Sequence, residues 1–168
     1  TDGKRILADA EHAGDEPFEL AKKLLGKVII IADADRVSAG EWAKRKFGVT
    51  TFILDDGFQH RKVKRDLDIV CIDSTDPFGG RKMLPAGRLR EYRSGLQRAD
   101  VVIVTRANLG SGLAVLRSGI ADLNPNAAIL TSETAISGVV ELKEIQTKKK
   151  PSRREIKEHK VVAFGGTG

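Results

Sequence analysis

Two adjacent carboxylates, Asp55 and Asp56, directly follow the apolar residues 51–54. An apolar run that ends in carboxylates has the shape of a Walker B element, in which a strand holds acidic side chains at a ligand-binding edge. Mg²⁺ is usually bound by one or two carboxylates together with phosphate and water oxygens. The same residues also fit an Asx turn before Gly57, because Asp frequently begins turns. On these residues alone, a metal site and a structural turn are equally favoured.

Polar residues that could orient a phosphate or a substrate come next in the sequence. Gln59 and His60 follow Asp56 within four positions. A histidine near carboxylates can hold or move a proton close to neutral pH, whereas His60 taken alone also fits an ordinary surface histidine.

Acidic residues also open the first predicted helix. Asp15 and Glu16 lie between Gly14 and Pro17. Acidic side chains at a helix N-terminus stabilise the helix by capping and through its dipole, and the local pattern by itself favours that structural role.

Arginines in two segments could bind phosphate. Residues 84–91 read Leu-Pro-Ala-Gly-Arg-Leu-Arg-Glu, so a stiff turn leads into Arg88 and Arg90. Arginine can bind phosphate oxygens through paired hydrogen bonds, although surface ion pairs would use the same residues. Arg36, which follows Asp33 and Asp35, has the same two interpretations.

A phosphate-cradling loop of the form G-x-x-x-x-G-K-[ST] does not occur in the sequence, although a Walker B element normally works with one. Residues 165–168, Gly-Gly-Thr-Gly, resemble the tail of such a loop without its lysine. We expect these glycines to end a strand outside the main sheet and not to bind phosphate.

The apolar periodicity predicts an α/β fold with a parallel sheet covered by helices on both faces. Ser38 with Glu41 predicts a capping box, and Gly48 a helix end. Right-handed crossovers would bring the strand ends to one edge, with Asp73 and Thr105 beside the carboxylate pair. Helices are predicted at residues 17–25, 38–47, 91–98 and 113–123, and strands at 28–32, 51–54, 68–72, 101–105, 128–131, 139–142 and 161–164.

The composition excludes several classes of protein. The 168 residues are 40% hydrophobic and 31% charged, which is enough apolar material for a core. The single cysteine, Cys71, excludes a disulfide framework and a cysteine-based zinc site and favours a reducing compartment. Its apolar neighbours predict an inert, buried thiol.

No apolar run approaches the ~20 residues of a membrane span, and residues 1–13 lack the apolar core of a signal peptide.

The net charge of +6 is distributed unevenly. One basic group lies in residues 61–65 and another in residues 148–160, and such groups can meet phosphates, anionic lipids or nucleic acid. A solvated linker is the favoured interpretation of residues 148–160. The start at Thr1 without Met, and the apolar run before the final glycines, lead us to expect an internal piece of a longer protein.

Several motifs together resemble the tetraacyldisaccharide 4′-kinase family, which phosphorylates lipid A precursors in Gram-negative-type bacteria. They are Gly-Asp-Glu-Pro at 14–17, Asp-Arg-Val at 35–37, Leu-Asp-Asp-Gly-Phe-Gln-His at 54–60, Asp-Leu-Asp-Ile-Val at 66–70, Leu-Pro-Ala-Gly-x-Leu-Arg-Glu at 84–91 and Arg-Ala-Asp at 98–100. The resemblance is close over residues 14–105 and looser elsewhere.

The resemblance implies a P-loop-kinase-like fold, a phosphotransferase that uses ATP and Mg²⁺, and work at the cytoplasmic face of the inner membrane. Its partners would be the lipid A disaccharide precursor and the membrane surface, with no nucleic acid expected. The motif positions imply catalytic roles for Asp15, His60, Arg36 and Arg90, substrate or phosphate binding by Gln59, Arg36 and Arg90, and metal binding by Asp55, Asp56 and Glu16.

The chain departs from the family pattern in three places. We expect the family's N-terminal anchor and Walker A loop, and the C-terminal part whose histidine works with the catalytic aspartate, to lie outside these residues. In addition, Arg88 stands where the family usually has Pro. We therefore expect residues 1–142 to form the core of the kinase domain, 143–160 a basic connector, and 161–168 the start of a C-terminal subdomain. On this interpretation the chain alone is inactive.

Two alternative functions use the same features. Another Walker-type NTPase would need the carboxylate pair but not the motif at residues 84–91. A basic nucleic-acid-binding module predicts an affinity that falls steeply with salt, and the acidic residues at the expected ligand edge argue against it.

Overall fold

The computed structural model describes residues 1–135 and divides the chain into two compact units, Thr1–Asp66 and Leu67–Gly168. The fold is α/β with a parallel sheet, which confirms the predicted class. The predicted strand at 139–142, the connector at 143–160, the apolar run at 161–164 and the glycines at 165–168 lie outside the described residues, so these expectations stay predictions.

The first unit contains three helices: α1 (Ala10–Ala13), α2 (Asp15–Leu24) and α3 (Arg36–Phe47). Helices α2 and α3 were predicted, and their small residues Ala21 and Ala43 are the most buried apolar side chains of this unit. Gly48 ends α3 as expected: it adopts a left-handed φ of 65° and its N–H donates to Lys44 O, a conformation that glycine adopts without a Cβ penalty.

The predicted capping box at Ser38 is wrong, because α3 begins two residues earlier. Asp35 is the N-cap, and its Oδ1 accepts hydrogen bonds from the N–H groups of Val37 and Ser38 at 3.1 and 3.2 Å. Ser38 instead donates its hydroxyl to Asp35 Oδ2 at 2.7 Å. Asp and Ser are comparably good caps, so the sequence offered two starts and the earlier one satisfies more of the free N–H groups.

The strands predicted at residues 28–32 and 51–54 are also absent from the described structure. A parallel strand needs hydrogen bonds from a neighbouring strand, and neither segment has one within residues 1–135. The Ile53 side chain is 91% exposed, so residues 51–54 are not a buried strand here. The Thr1 ammonium group donates to Ile30 O at 2.8 Å, which fixes residue 30 without any strand pairing.

The second unit is a three-stranded parallel sheet in the order β1-β2-β3. The strands are β1 (Ile69–Asp73), β2 (Val101–Thr105) and β3 (Ala128–Thr131), with helix α4 (Leu113–Leu123) between β2 and β3. Ile69 is in register with Val101, and Val101 with Ala128. All four elements were predicted. The helix expected at 91–98 is a 3₁₀ helix over Arg93–Arg98, and a shorter one covers Gly79–Arg81.

The most buried side chains of this unit come from β2 and α4. Val102, Val104 and Ile120 are fully buried. Asn124, the polar residue that follows α4, is also buried, and its side-chain amide donates to Leu96 O and Ala99 O at 2.8 Å each. A buried amide needs such partners, and here they tie the end of α4 to the 3₁₀ helix.

The expectation that Cys71 is buried is wrong. Along β1 exposure alternates, with Ile69 and Cys71 exposed and Ile72 buried. Successive side chains of a strand point to opposite faces, and the described part of the sheet leaves one face of β1 open at Ile69 and Cys71. The apolar run alone predicted burial on both faces.

Candidate functional site

The Asp55–Asp56 turn is a strained and exposed feature of the first unit. Asp56 has a left-handed φ of 51°, which is uncommon for a residue with a side chain. Gly57 is buried, and a Cβ built there would lie 2.6 Å from the Leu54 Cβ. The chain therefore reverses tightly after residue 54 and leaves both carboxylates exposed to solvent. Left-handed backbone at non-glycine residues is concentrated at functional sites.

The segment after this turn is held by its own backbone. His60 N–H donates to Gly57 O at 3.0 Å and Val63 N–H to His60 O at 3.1 Å. The Arg65 guanidinium closes the segment by donating to the carbonyl oxygens of His60 and Val63. Gln59 and His60 are thus both exposed on an ordered turn directly after the carboxylate pair.

The start of α3 carries the predicted Arg36. The hydroxyl and then the N–H of Ser38 hold the pKa of Asp35 below its usual value, and the charge of Lys62 lowers it further. Arg36, the first residue of α3, is half-buried.

Asp15 and Glu16 occupy the first turn of α2 and are exposed. The N-cap is Gly14, which has a φ of 86° and supplies no side-chain cap. Gly14 also ends α1 by donating its N–H to Ala10 O. The two acidic side chains thus stand at the corner between two helices, where the helix dipole stabilises their charge.

The residues predicted to bind a metal ion are carboxylates, whose oxygens are the ligands that Mg²⁺ prefers. Within residues 1–135, no group of three or more carboxylate, imidazole or thiol side chains is placed to hold a metal ion. The adjacent carboxylates Asp55 and Asp56 still match the one or two that Mg²⁺ takes when phosphate and water complete its shell. The motif positions imply that Asp15 and Glu16 act at the same site as this pair, and that grouping stays a prediction.

Arg90, the other predicted arginine, belongs to the second unit and is exposed. Its neighbour Glu91 is half-buried and accepts from Arg98 Nη2 at 3.0 and 2.9 Å through its two carboxylate oxygens. A Cβ built at Gly95 would lie 2.6 Å from Glu91 Oε2, so glycine is needed where the chain passes this pair. The pair fixes the segment from which Arg90 extends.

A charged cluster lies at the end of β1, where the sequence placed Asp73 at the expected ligand edge but predicted no partner for it. Asp73 Oδ2 lies 2.9 Å from Arg106 Nη1, and Asp73 Oδ1 accepts from the hydroxyl and the N–H of Thr75. These Thr75 hydrogen bonds are the main cause that lowers the pKa of Asp73, with the charges of Arg106 and Arg88 adding to them. The one signal available in the sequence was the position of Asp73 at a strand end.

The loop that follows β1 carries a second ion pair, between Asp76 and Arg88. A cavity of about 280 Å³ lies beside this pair and is lined by Cys71, Asp73, Asp76, Phe78, Arg88 and Leu89. The Arg93 guanidinium lies 5.4 Å from the centre of the Phe78 ring. The predicted arginine motif is therefore part of an ordered loop.

The helices described within residues 1–135 all fall short of the length and apolar composition that spanning a bilayer requires.

Comparison with known proteins gives a consistent result. A family model described as Tetraacyldisaccharide-1-P 4′-kinase matches residues 2–168. A tetraacyldisaccharide 4′-kinase of Halothermothrix orenii is 40% identical over 177 residues, which cover 100% of this chain and 46% of the relative. Relatives with the same name from Geobacter metallireducens and Elusimicrobium minutum are 44% and 48% identical, covering 68% and 57% of this chain and 34% and 26% of their own length. The chain thus spans less than half the length of these relatives. No solved structure was found to match it.

Proposed function

Because this chain belongs to the tetraacyldisaccharide-1-P 4′-kinase family, we propose that it supplies part of an active site that phosphorylates a lipid A precursor. The reaction transfers the γ-phosphoryl group of ATP to the 4′-hydroxyl of a tetraacyldisaccharide 1-phosphate at the cytoplasmic face of the inner membrane. The observation that carries the proposal is the family match over residues 2–168. The match favours this kinase over another NTPase or a nucleic-acid-binding module.

Asp15 is the proposed general base. It accepts the proton of the 4′-hydroxyl while that oxygen bonds to the γ-phosphorus and the bond to the β-phosphate oxygen breaks, which leaves ADP. Its exposure at the first turn of α2 supports this role, because the carboxylate is open to an acceptor. Glu16, beside it, is proposed to lie near the metal.

Asp55 and Asp56 are the residues that would hold Mg²⁺. When bound there, the ion neutralises charge on the β- and γ-phosphates. Two adjacent exposed carboxylates on a tight turn support this assignment.

Gln59, His60, Arg36 and Arg90 are proposed to bind and orient the phosphates. Hydrogen-bond donors and positive arginine groups aimed at the equatorial oxygens stabilise the charge of the transferring phosphoryl group. The ordered turn at residues 57–65 and the pairing of Glu91 with Arg98 support fixed positions for residues 59, 60 and 90.

The 168-residue chain alone is proposed to be inactive, because its sequence contains no G-x-x-x-x-G-K-[ST] loop for the triphosphate. The test incubates this chain, and a longer version of the protein that includes such a loop, with ATP, Mg²⁺ and the disaccharide acceptor. Phosphate transfer to the acceptor is expected only from the longer protein. Comparable turnover by the 168-residue chain would contradict the proposed inactivity, and no transfer by the longer protein would contradict the proposed reaction.

Asp15→Asn in the longer protein tests the assignment of the base. A general base acts on the acceptor and not on the nucleotide, so kcat should fall strongly while ATP affinity stays nearly unchanged. Glu19→Gln is the matched control, because Glu19 lies on the same helix and pairs with Lys22 on its surface. A loss of ATP binding with the chemical step intact would remove Asp15 from this role.

A further inference from the structure

The loop from Asp76 to Arg88 closes on itself through its backbone. Arg88 N–H donates to Gly79 O at 3.1 Å, and Leu89 N–H donates to Lys82 O at 3.1 Å. The two sides of the loop approach closely, since a Cβ built at Gly79 would lie 2.6 Å from the Arg88 Cβ. Residues 79–82 and 88–89 therefore lie side by side.

The Arg88 side chain connects this closed loop to charges at its base. Its guanidinium pairs with Asp76 near the start of the loop, and the Asp76 N–H donates to Asp73 O, at the end of β1, at 3.3 Å. The charge of Arg88 also helps to lower the pKa of the Asp73 carboxyl group, which pairs with Arg106 beyond β2. The loop is thereby linked to the end of β1 by an ion pair and a backbone hydrogen bond.

We infer that Arg88 is a positioning residue, whose ion pair with Asp76 clasps the 76–88 loop to the end of β1 and so fixes the backbone that carries Arg90. The functional part of this inference rests on the proposed kinase reaction, in which Arg90 binds phosphate. The clasp itself depends only on the contacts within the second unit.

The first experiment measures amide hydrogen exchange on the 168-residue chain. Arg88→Ala should raise exchange at the Leu89 amide about two- to fivefold, the range expected for an exposed ion pair, with the fully buried Val102 and Val104 amides unchanged. Asp76→Asn, which keeps the arginine, should give the same increase, and Arg88→Lys should recover at least half of the protection. Lys82→Ala is the matched control, since it removes a positive charge from the same loop but keeps the carbonyl that accepts from Leu89.

The second measurement is the NMR titration of the Asp73 carboxyl group. Its pKa should rise in Arg88→Ala, return in Arg88→Lys and stay in place in Lys82→Ala. If Arg88 contributed only packing and no charge, these substitutions would not shift the pKa of Asp73 in this way.

Two results would overturn the clasp: unchanged exchange at Leu89 in both Arg88→Ala and Asp76→Asn, or equal increases in exchange at Leu89 and in β2.

In the longer, active protein, Arg88→Ala should lower kcat on the order of tenfold, because small misplacements of binding groups are costly. If the exchange and titration results hold while the unaltered longer protein shows no kinase activity, the proposed function fails and the clasp stands. If that protein is active and Arg88→Ala leaves kcat unchanged, the clasp does not position Arg90 for the reaction.

Discussion

Asp73 Oδ2 and Arg106 Nη1 lie 2.9 Å apart, so an ion pair joins the last residue of β1 to the residue after β2. Both side chains are more than a third exposed, 37% for Asp73 and 47% for Arg106, and solvent weakens such a pair. The carboxyl ends of β1 and β2 are thus held together by the hydrogen bonds of the sheet and by this ion pair.

Asp73 should make stability depend on pH in the acid range. Hydrogen bonds from Thr75, with the charges of Arg106 and Arg88, lower the pKa of the folded-state carboxyl. The stabilisation is therefore present above the unfolded-state pKa, about 3.9, and is lost as the pH falls through the folded-state pKa. We expect Asp73→Asn to be less stable than the unaltered chain at pH 6, with the difference shrinking below about pH 4, as measured by urea midpoints.

Thr75→Ala tests the same cause without removing the carboxyl group. It should reduce the acid-dependent part of the stability, and Ser118→Ala on the exposed surface of α4 serves as the hydroxyl control. An unchanged pH profile in both Asp73→Asn and Thr75→Ala would contradict the argument.

Asn124→Ala should destabilise the second unit. The substitution leaves the carbonyl oxygens of Leu96 and Ala99 without the amide that bonds them in a buried site. The loss should be about 1–3 kcal/mol, the cost of unsatisfied buried polar groups. Denaturant unfolding measures it, with Asn126→Ala as control, because Asn126 is exposed and contributes only its backbone N–H. Equal stability of the two variants would contradict the prediction.

Gly119→Ala should stabilise the protein. Gly119 lies within α4, and a Cβ built there meets nothing within 4 Å. Alanine in a helix is favoured over glycine by roughly 0.5–1 kcal/mol, so the midpoint of thermal unfolding should rise. Gly57→Ala provides the contrast: its Cβ would lie 2.6 Å from that of Leu54, and the midpoint should fall.

Cys71 should react readily with a bulky thiol reagent in the native protein. The thiol is exposed on β1, and exposure governs access to the sulfur. Native protein should be labelled at a rate comparable to that of urea-denatured protein, and Cys71→Ser should take up no label. Protection of the native thiol would show that this face of β1 is covered in solution.

The sequence predicted the second unit better than the first. Strands β1, β2 and β3 are hydrogen-bonded to one another within the described residues, so their apolar runs found the partners that strands require. Residues 28–32 and 51–54 have equally apolar runs but no partner in this part of the chain. A sequence pattern indicates that a segment can form a strand, whereas pairing decides whether it does.

Only some residues of the candidate site could be predicted from the sequence. The Asp55–Asp56 pair and Arg90 follow from motifs, whereas the ion pairs Asp73–Arg106 and Asp76–Arg88 depend on how the loop after β1 returns to the sheet. Nothing in the spacing of residues 76 and 88 marks them as partners. Likewise, no property of residues 69–73 indicated that β1 would have an open face at Cys71.

The order β1-β2-β3 gives each outer strand a single neighbour within residues 1–135. Among these described residues no strand pairs with the outer edge of β1 or β3, and the N–H and C=O groups of such an edge can recruit a strand from another molecule. Ile69 on β1 and Leu130 on β3 are about half exposed, at 50% and 54%, so apolar side chains accompany both edges. In concentrated solutions, molecules of this chain should therefore aggregate by pairing their strand edges. Dilution, or an added lysine on β3, would reduce this aggregation.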